Sequence, residues 1–253
     1  MNFRQRLLNR ETLLGTMITL PCPEVVEMMV DVGFDWLFID CEHGSFDSRV
    51  AQSLLQAAAE RCACVIRVPT SDDVWIKKML DIGAQGIIVP QIQSTQQAYR
   101  AIQSCKYPPQ GTRGVGLGRA HRYGARFVEY LEHANDDIAV ILQAEHIDAV
   151  HCINAITALP GVDAILIGPY DLSASLGKIG RVDDAEVVAA INKVRDTCFQ
   201  KSIPMGYFGV NPQAVKPYME QGYTLITVGV DALFMQTTAA NVLSTLRPSG
   251  ESV

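Results

Sequence analysis

The segment Gly33-Phe-Asp-Trp-Leu-Phe-Ile-Asp40 follows a plan that recurs along the chain: a glycine that ends a helical pattern, a short link, then an apolar run. The plan returns in Gly83-Ala-Gln-Gly-Ile-Ile-Val-Pro90, Gly161-Val-Asp-Ala-Ile-Leu-Ile-Gly168 and Gly222-Tyr-Thr-Leu-Ile-Thr-Val-Gly229. Glycine is the usual residue just past a helix end, because it accepts the left-handed conformation there at no steric cost. The runs themselves do not alternate apolar with polar residues. They therefore predict strands covered on both faces, as in a parallel sheet wrapped by helices.

Extending the same criterion outward gives eight apolar runs: Leu14–Thr19, Trp36–Asp40, Cys64–Arg67, Gly86–Val89, Ala139–Gln143, Ala164–Ile167, Pro204–Tyr207 and Leu225–Val228. Helical patterns over Pro23–Val32, Asp73–Ile82, Asp184–Gln200 and Pro212–Gln221 lie between them, the first opening on a proline and closing before a glycine. The four glycine-led segments would be strands 2, 4, 6 and 8. A repeat every second βα unit predicts an α/β fold of the (β/α)8 TIM-barrel type, where alternate strands share interior layers. A doubly wound open sheet is the competing arrangement. No Ser/Gly-rich linker breaks the first 245 residues, so one barrel domain over residues 1–253 is expected. The long gap from Gln91 to Ile138 reads as a helix followed by a loop rich in Gly and Arg.

Composition narrows the function. A net charge of −6 with a pI near 5.4 argues against nucleic acid and anionic membrane as partners. No apolar run approaches the ~18 residues of a membrane span, and the polar, basic Met1–Arg10 segment is unlike a signal peptide. The seven scattered cysteines suit buried thiols in a reducing cytoplasm better than a disulfide framework.

Barrel active sites form at the carboxyl ends of the strands. Here those ends read Asp40-Cys-Glu-His43, Arg67-Val-Pro69, Gln143-Ala-Glu145 and Gly168-Pro-Tyr-Asp171. Four separate strands thus bring acids, a histidine and an arginine toward one mouth. Glu145 and Asp171 form a hard oxygen pair suited to Mg²⁺ or Mn²⁺, although Asp171 could instead cap a following helix. Histidine is the side-chain type that exchanges protons near neutral pH, which makes His43 the candidate acid/base, or it is an ordinary loop residue. Arg67 could hold a carboxylate or a developing enolate oxygen, or pair with one of the acids. Asp40 could orient a neighbour or hold a water on the metal, and Glu42 has no assigned role. The segment Gly111–Gly124, with Arg113, Arg119 and Arg122, could be a lid, an anion-binding loop or a solvated connection.

These motifs, with Pro108-Pro-x-Gly-x-Arg-Gly-Val-Gly116 and Ile167-Gly-Pro-x-Asp-Leu-Ser173, together resemble the HpcH/HpaI aldolases from about Gly15 to Asp231. The resemblance implies a class II, metal-dependent aldolase, with Mg²⁺ or Mn²⁺ and Co²⁺ as a third candidate. It would reversibly cleave a 2-keto-3-deoxy sugar acid or a 4-hydroxy-2-oxo acid to pyruvate and an aldehyde. It implies Glu145 and Asp171 as metal ligands, His43 as base, Asp81 as the acid that makes His43 more basic, and Arg67 as stabiliser of the transition state. Asp40 is grouped with these catalytic residues, and Gln143 and Tyr170, with Arg67 and Asp171, are implied to contact substrate. It further implies a homo-oligomer, a hexamer, in which the C-terminal helix is exchanged between subunits and the Arg-Gly-Val-Gly loop reaches a neighbouring site. Met17 and Tyr170 depart from the family's usual Trp and Ala or Ser, which bears on the aldehyde. Arg119 and Arg122 are expected to meet an anionic aldehyde tail.

Three other readings compete. A related lyase or synthase would use oxaloacetate or an acyl-CoA. A Schiff-base aldolase would need a strand lysine, and none of the seven lysines lies in one of the apolar runs. A non-catalytic binding barrel would bind pyruvate without turnover.

Overall fold

A computed structural model describes residues 1–247. Positions 248–253, the end of the expected domain, lie outside the described residues. Helix α1 (Phe3–Leu8) precedes the first strand, and eight strands then alternate with helices. The strands are β1 (Leu13–Ile18), β2 (Trp36–Asp40), β3 (Ala63–Arg67), β4 (Gly86–Val89), β5 (Ala139–Ala144), β6 (Ala164–Ile167), β7 (Met205–Gly209) and β8 (Leu225–Val230). All neighbouring pairs are parallel and β8 closes onto β1, so the sheet is a closed barrel and not an open doubly wound sheet. The helices that follow are α2 (Pro23–Val32), α3 (Ser48–Ala58), α4 (Asp73–Asp81), α5 (Thr95–Cys105), α6 (Phe127–Asp137), α7 (Ile147–Ile156), α8 (Pro169–Ser175), α9 (Ala185–Gln200), α10 (Pro212–Glu220) and α11 (Asp231–Leu246). A short 3₁₀ stretch, Arg119–Gly124, interrupts the link from α5 to α6.

The recurring glycines do what their spacing demands. Gly33, Gly83, Gly161 and Gly222 all adopt φ between 92° and 100°, left-handed values that end one helix and aim the chain into the next strand. The observed strands depart from the apolar runs by a residue or two: β1 starts one residue earlier, and β7 and β8 run two residues further. Ladder hydrogen bonds continue where side-chain apolarity stops, which moves such boundaries.

Two apolar layers result. Leu13, Met17, Trp36, Phe38, Val65, Ile88, Ile141 and Leu166 fill the barrel interior. The intervening strand residues, such as Leu37, Ile39, Ile66 and Val140, pack outward against the helices. All seven cysteines are unpaired, and burial pushes the Cys41, Cys105 and Cys198 thiols up to about 12. Among the described residues no helix is long and apolar enough to cross a membrane.

Helix α11 differs from the others. Only Asp231, in its first turn, is buried, while Leu233, Met235, Val242, Leu243 and Leu246 are exposed.

Candidate active site

The inward-facing alternation that fills the barrel continues at its carboxyl end with polar residues. Asp40 lies two residues beyond Phe38, Arg67 two beyond Val65, and Gln143 two beyond Ile141. Asp40 and Arg67 are direct partners across the β2–β3 ladder. Arg67 Nε and Nη2 each donate to Asp40 at 2.8 Å, both side chains are buried, and the guanidinium lies 5.2 Å from the centre of the Phe38 ring. Asp40 Oδ1 also accepts from the backbone N–H groups of Glu42 (3.1 Å) and His43 (3.4 Å). One carboxylate thus fixes the arginine and folds the turn that carries His43. Glu42 lies between them, its Oε2 3.2 Å from Arg67 Nε and 3.8 Å from His43 Nε2. Since that Nε–H already points at Asp40, Glu42 Oε2 is buried with no hydrogen bond. Burial, then its acidic neighbours Asp40 and Asp171, raise the Glu42 pKa against the pull of Arg67 and His43.

Glu145 follows the end of β5. Its Oε1 accepts from the Gln91 backbone N–H at 2.7 Å and its Oε2 from Gln143 Nε2. Gln91 presents that N–H from a left-handed conformation, φ +55°. Burial pushes the Glu145 carboxyl up to about 7, with Glu42 and Asp171 adding to the shift and Gln91 and Arg67 opposing it. Gly168 lets β6 approach closely: a Cβ there would sit 2.6 Å from Glu145 Oε2 and 2.7 Å from Gln143 Nε2. Asp171 lies within the first turn of α8, which starts at Pro169, and does not cap it.

A cavity of about 300 Å³ opens over this floor. It brings together Asp40, His43, Arg67, Gln143, Tyr170 and Asp171. Tyr170 stands at the surface, 47% exposed. The opposite wall is apolar: Met17, Phe38, Leu166, Phe208 and Val230. Phe208 and Val230 carry no polar signature that would single them out in the sequence. Thr19, also in the wall, is held by a residue that sequence reasoning missed: the buried Asp231 accepts from Thr19 N–H, Thr19 Oγ1 and Leu20 N–H at 2.7–3.0 Å.

Three residues are elsewhere. Asp81 ends α4, at the amino-terminal end of the barrel, where it pairs at 2.8 Å with Arg113, itself stacked on Tyr107 and Tyr130. Within one chain it does not meet His43. Arg119 donates to the Ile82 and Leu55 carbonyls, and Arg122 pairs with Glu60. Both line a second cleft with Gly83 and Gln85, before β4, so within the chain neither reaches the cavity over Asp40. The chain descends along α5 before the arginine-rich loop begins, which puts that loop at the far end.

No set of three or more His, Cys, Asp or Glu side chains among the described residues is arranged to hold a metal. What the site does have is a surplus of acceptors: Glu42 Oε2 and Gln143 Oε1 are buried without a donor, beside a Glu145 whose charge is suppressed. A hard divalent cation that keeps several ligands from water or substrate suits such a floor.

Residues 16–237 match the model of the HpcH/HpaI aldolase/citrate lyase family. Hydroxypyruvate/pyruvate aldolase of Cupriavidus necator is 34% identical over 248 residues, covering 97% of this chain and 92% of that one. The 2-dehydro-3,6-dideoxy-6-sulfogluconate aldolase of Pseudomonas putida is 36% identical over 236 residues, 92% of each chain. The crystal structure of a family protein from Burkholderia cenocepacia superposes with a TM-score of 0.93 at 35% identity, over 97% of this chain and 98% of that one. With the closed barrel and the polar mouth at its carboxyl end, these matches establish that the chain belongs to the HpcH/HpaI aldolase/citrate lyase family and is a carbon–carbon lyase of the aldolase type.

Proposed function

We propose that the chain is a class II aldolase that reversibly joins the methyl carbon of pyruvate to the carbonyl carbon of an aldehyde. The observation that carries this reading is geometric: Asp171 and the fixed cation Arg67 line one cavity, and the buried carboxylate Glu145 is hydrogen-bonded to Gln143 in its lining. Glu145 and Asp171 would hold the divalent cation, Mg²⁺ or Mn²⁺ with Co²⁺ as a third candidate, which would supply the positive charge that a carbanion beside a carbonyl requires.

The chain's own residues do the rest. Arg67 is aimed by Asp40 and donates to the oxygen on which enolate charge builds. Gln143 contacts the pyruvate end, and Tyr170 closes the rim on the aldehyde side. In the synthetic direction His43 removes a methyl proton, the carbon–carbon bond forms, and the aldehyde oxygen takes a proton. Cleavage reverses each step. Asp81 can raise the basicity of His43 only if another copy delivers it, which favours a homo-oligomer, hexameric by family likeness. The exposed apolar side chains of α11 support an exchanged C-terminal helix in that assembly. Unpaired thiols support a cytoplasmic setting, and residues 1–253 are read as one barrel domain.

Of the alternative donors, oxaloacetate or an acyl-CoA, the acyl-CoA lacks support at the mouth. Among the described residues Arg67 is the one permanently cationic side chain lining the cavity, and it faces inward, leaving no pair of basic groups for a pyrophosphate.

Exchange of pyruvate methyl protons in D2O, followed by NMR, tests the reading without knowledge of the aldehyde. Exchange that requires Mn²⁺ or Mg²⁺ and is lost in Glu145→Ala supports it. An absence of exchange with every metal tried refutes it.

A further inference from the structure

The loop between α5 and α6 is folded around one histidine. His121 Nδ1 accepts from the Gly124 backbone N–H at 2.9 Å, while Nε2 lies 2.9 Å from both the Gly116 carbonyl oxygen and the Gly118 nitrogen. A ring protonated at Nε2 makes two of these bonds, to Gly116 O and from Gly124 N–H. A ring protonated at Nδ1 makes only one, so the first tautomer holds the turn. The turn needs holding. Arg122 and Tyr123 both adopt left-handed backbone, φ +53° and +55°, which is costly for residues with a Cβ and persists only where the surroundings fix it. The His121 ring packs edge-on against Phe127, 5.2 Å between centres, and lies 5.9 Å from the Tyr130 ring. The Tyr130 hydroxyl accepts from Arg113 Nη1 at 3.1 Å, and Arg113 Nη2 donates to Asp81 Oδ1 at 2.8 Å. The same loop also presses on Asp81 directly: a Cβ on Gly118 would sit 2.6 Å from the Asp81 carbonyl oxygen. His121 and Arg113 are 2% and 3% exposed within the chain alone, so a neighbouring copy has little to add to either. Asp81 differs, because Arg113 takes only Oδ1 and 29% of the aspartate side chain stays exposed.

We infer that His121 is a positioning residue for proton transfer: by holding the Gly116–Gly124 turn it fixes Tyr130 and Arg113, and through them the direction in which the second Asp81 oxygen points. This rests on the reading above, in which Asp81 serves His43 of another copy. The network therefore acts in a neighbour's site and not in the mouth of its own barrel, which lies at the opposite end. His121 itself touches no reacting atom. Without its ring nitrogens the Gly116 carbonyl and the Gly124 N–H lose their partner, and the left-handed turn is free to relax. Gly118 and Tyr130 then no longer hold Asp81 and Arg113 from two sides. A shift of ~1 Å in a group that handles a proton is enough to cost about 100-fold in rate.

The test uses the full-length enzyme with added Mn²⁺ and reads pyruvate methyl-proton exchange in D2O. His121→Phe keeps a ring against Phe127 and Tyr130 and loses both hydrogen bonds. Tyr130→Phe keeps its ring and loses only the hydroxyl that Arg113 meets. The first should lower the exchange rate at saturating pyruvate by about 10–100-fold and the second by less, both with little change in KM for pyruvate. Each variant is then unfolded and refolded with a second variant chain. With His43→Ala, activity should recover, because a site can draw His43 from one chain and an intact His121 turn from the other. With Asp81→Asn it should not, since both lesions lie on the same side of the contact. His121→Phe chains that fail to fold would recover with neither, and Tyr130→Phe then decides by the same two mixtures. Unchanged exchange in both variants overturns the inference, as does recovery with Asp81→Asn. So does failure with His43→Ala while Asp81→Asn and His43→Ala still rescue each other, and that result leaves the two-chain reading of Asp81 standing. No rescue between Asp81→Asn and His43→Ala refutes that reading and this inference with it, and no exchange by the unmodified enzyme refutes the pyruvate reading as well.

Discussion

Asp40 and Arg67 face each other across the β2–β3 ladder and meet in a buried two-point ion pair, both contacts at 2.8 Å. The pair aims the guanidinium at the cavity, and the same aspartate folds the backbone of Glu42 and His43. Removing one partner of a buried pair leaves the other charge stranded, at a cost of about 3–5 kcal/mol. Asp40→Ala should therefore lower the melting temperature by about 10 °C and abolish turnover. Arg67→Lys keeps the charge and loses the fork. Its kcat should fall by about 100-fold with a much smaller loss of stability, measured by steady-state kinetics and thermal melts together.

Glu145 makes stability depend on pH in a direction opposite to that of an ordinary salt-bridged acid. Its folded pKa, pushed up to about 7, lies above the unfolded value, so between roughly pH 4.5 and 7 the folded state holds the extra proton. Stability should fall as pH rises through that window, by about 3 kcal/mol from this group. In metal-free protein the melting temperature at pH 8 should be below that at pH 5. The part of the difference that disappears in Glu145→Gln belongs to this carboxyl, and saturating Mn²⁺ should remove the same part. A pH dependence identical in wild type and Glu145→Gln would contradict the assignment.

Gly168 is required by proximity. A methyl group at that position would press on Glu145 and Gln143 at 2.6–2.7 Å. Gly168→Ala should weaken Mn²⁺ binding by about 10–100-fold, read by titration calorimetry, while the far-UV spectrum stays that of the parent.

Asp81 and His43 belong to opposite ends of one barrel, so their cooperation would require two chains. Asp81→Asn and His43→Ala should each be nearly inactive. Unfolded together and refolded as a mixture, they should recover part of the lost activity, because some sites would draw both intact residues from different subunits. A mixture no more active than its parts would place Asp81 outside the reaction and leave it as the ion-pair partner of Arg113.

Much of this architecture is legible in the amino-acid sequence, and the reasons are local. A helix-ending glycine followed by an unbroken apolar run can scarcely be anything but a covered parallel strand, and four copies fix the alternation. Asp40, His43, Arg67, Gln143, Glu145 and Asp171 were findable because strand ends in a barrel converge whatever the loops do. The failures share a cause. Arg119 and Arg122 were assigned by charge, but which end of the barrel a loop occupies depends on how far the preceding helix carries the chain back. Gln91 acts through a backbone N–H in a left-handed conformation, and Phe208 and Val230 act through shape; neither kind of role is written in residue type. Asp231 reads as the ordinary acid of a helix's first turn, and nothing in the sequence says that its carboxylate reaches back some 210 positions to Thr19 and Leu20.

That carboxylate makes the cavity wall and the C-terminal helix a single mechanical unit. Thr19 can shift only if Asp231 shifts, and Asp231 belongs to a helix that exposes most of its side chains beyond Phe234. Whatever surface eventually covers α11 therefore also sets how firmly one side of the substrate chamber is held. Dilution, a C-terminal tag or truncation within that helix would each be felt first as altered substrate affinity, before the barrel itself begins to unfold.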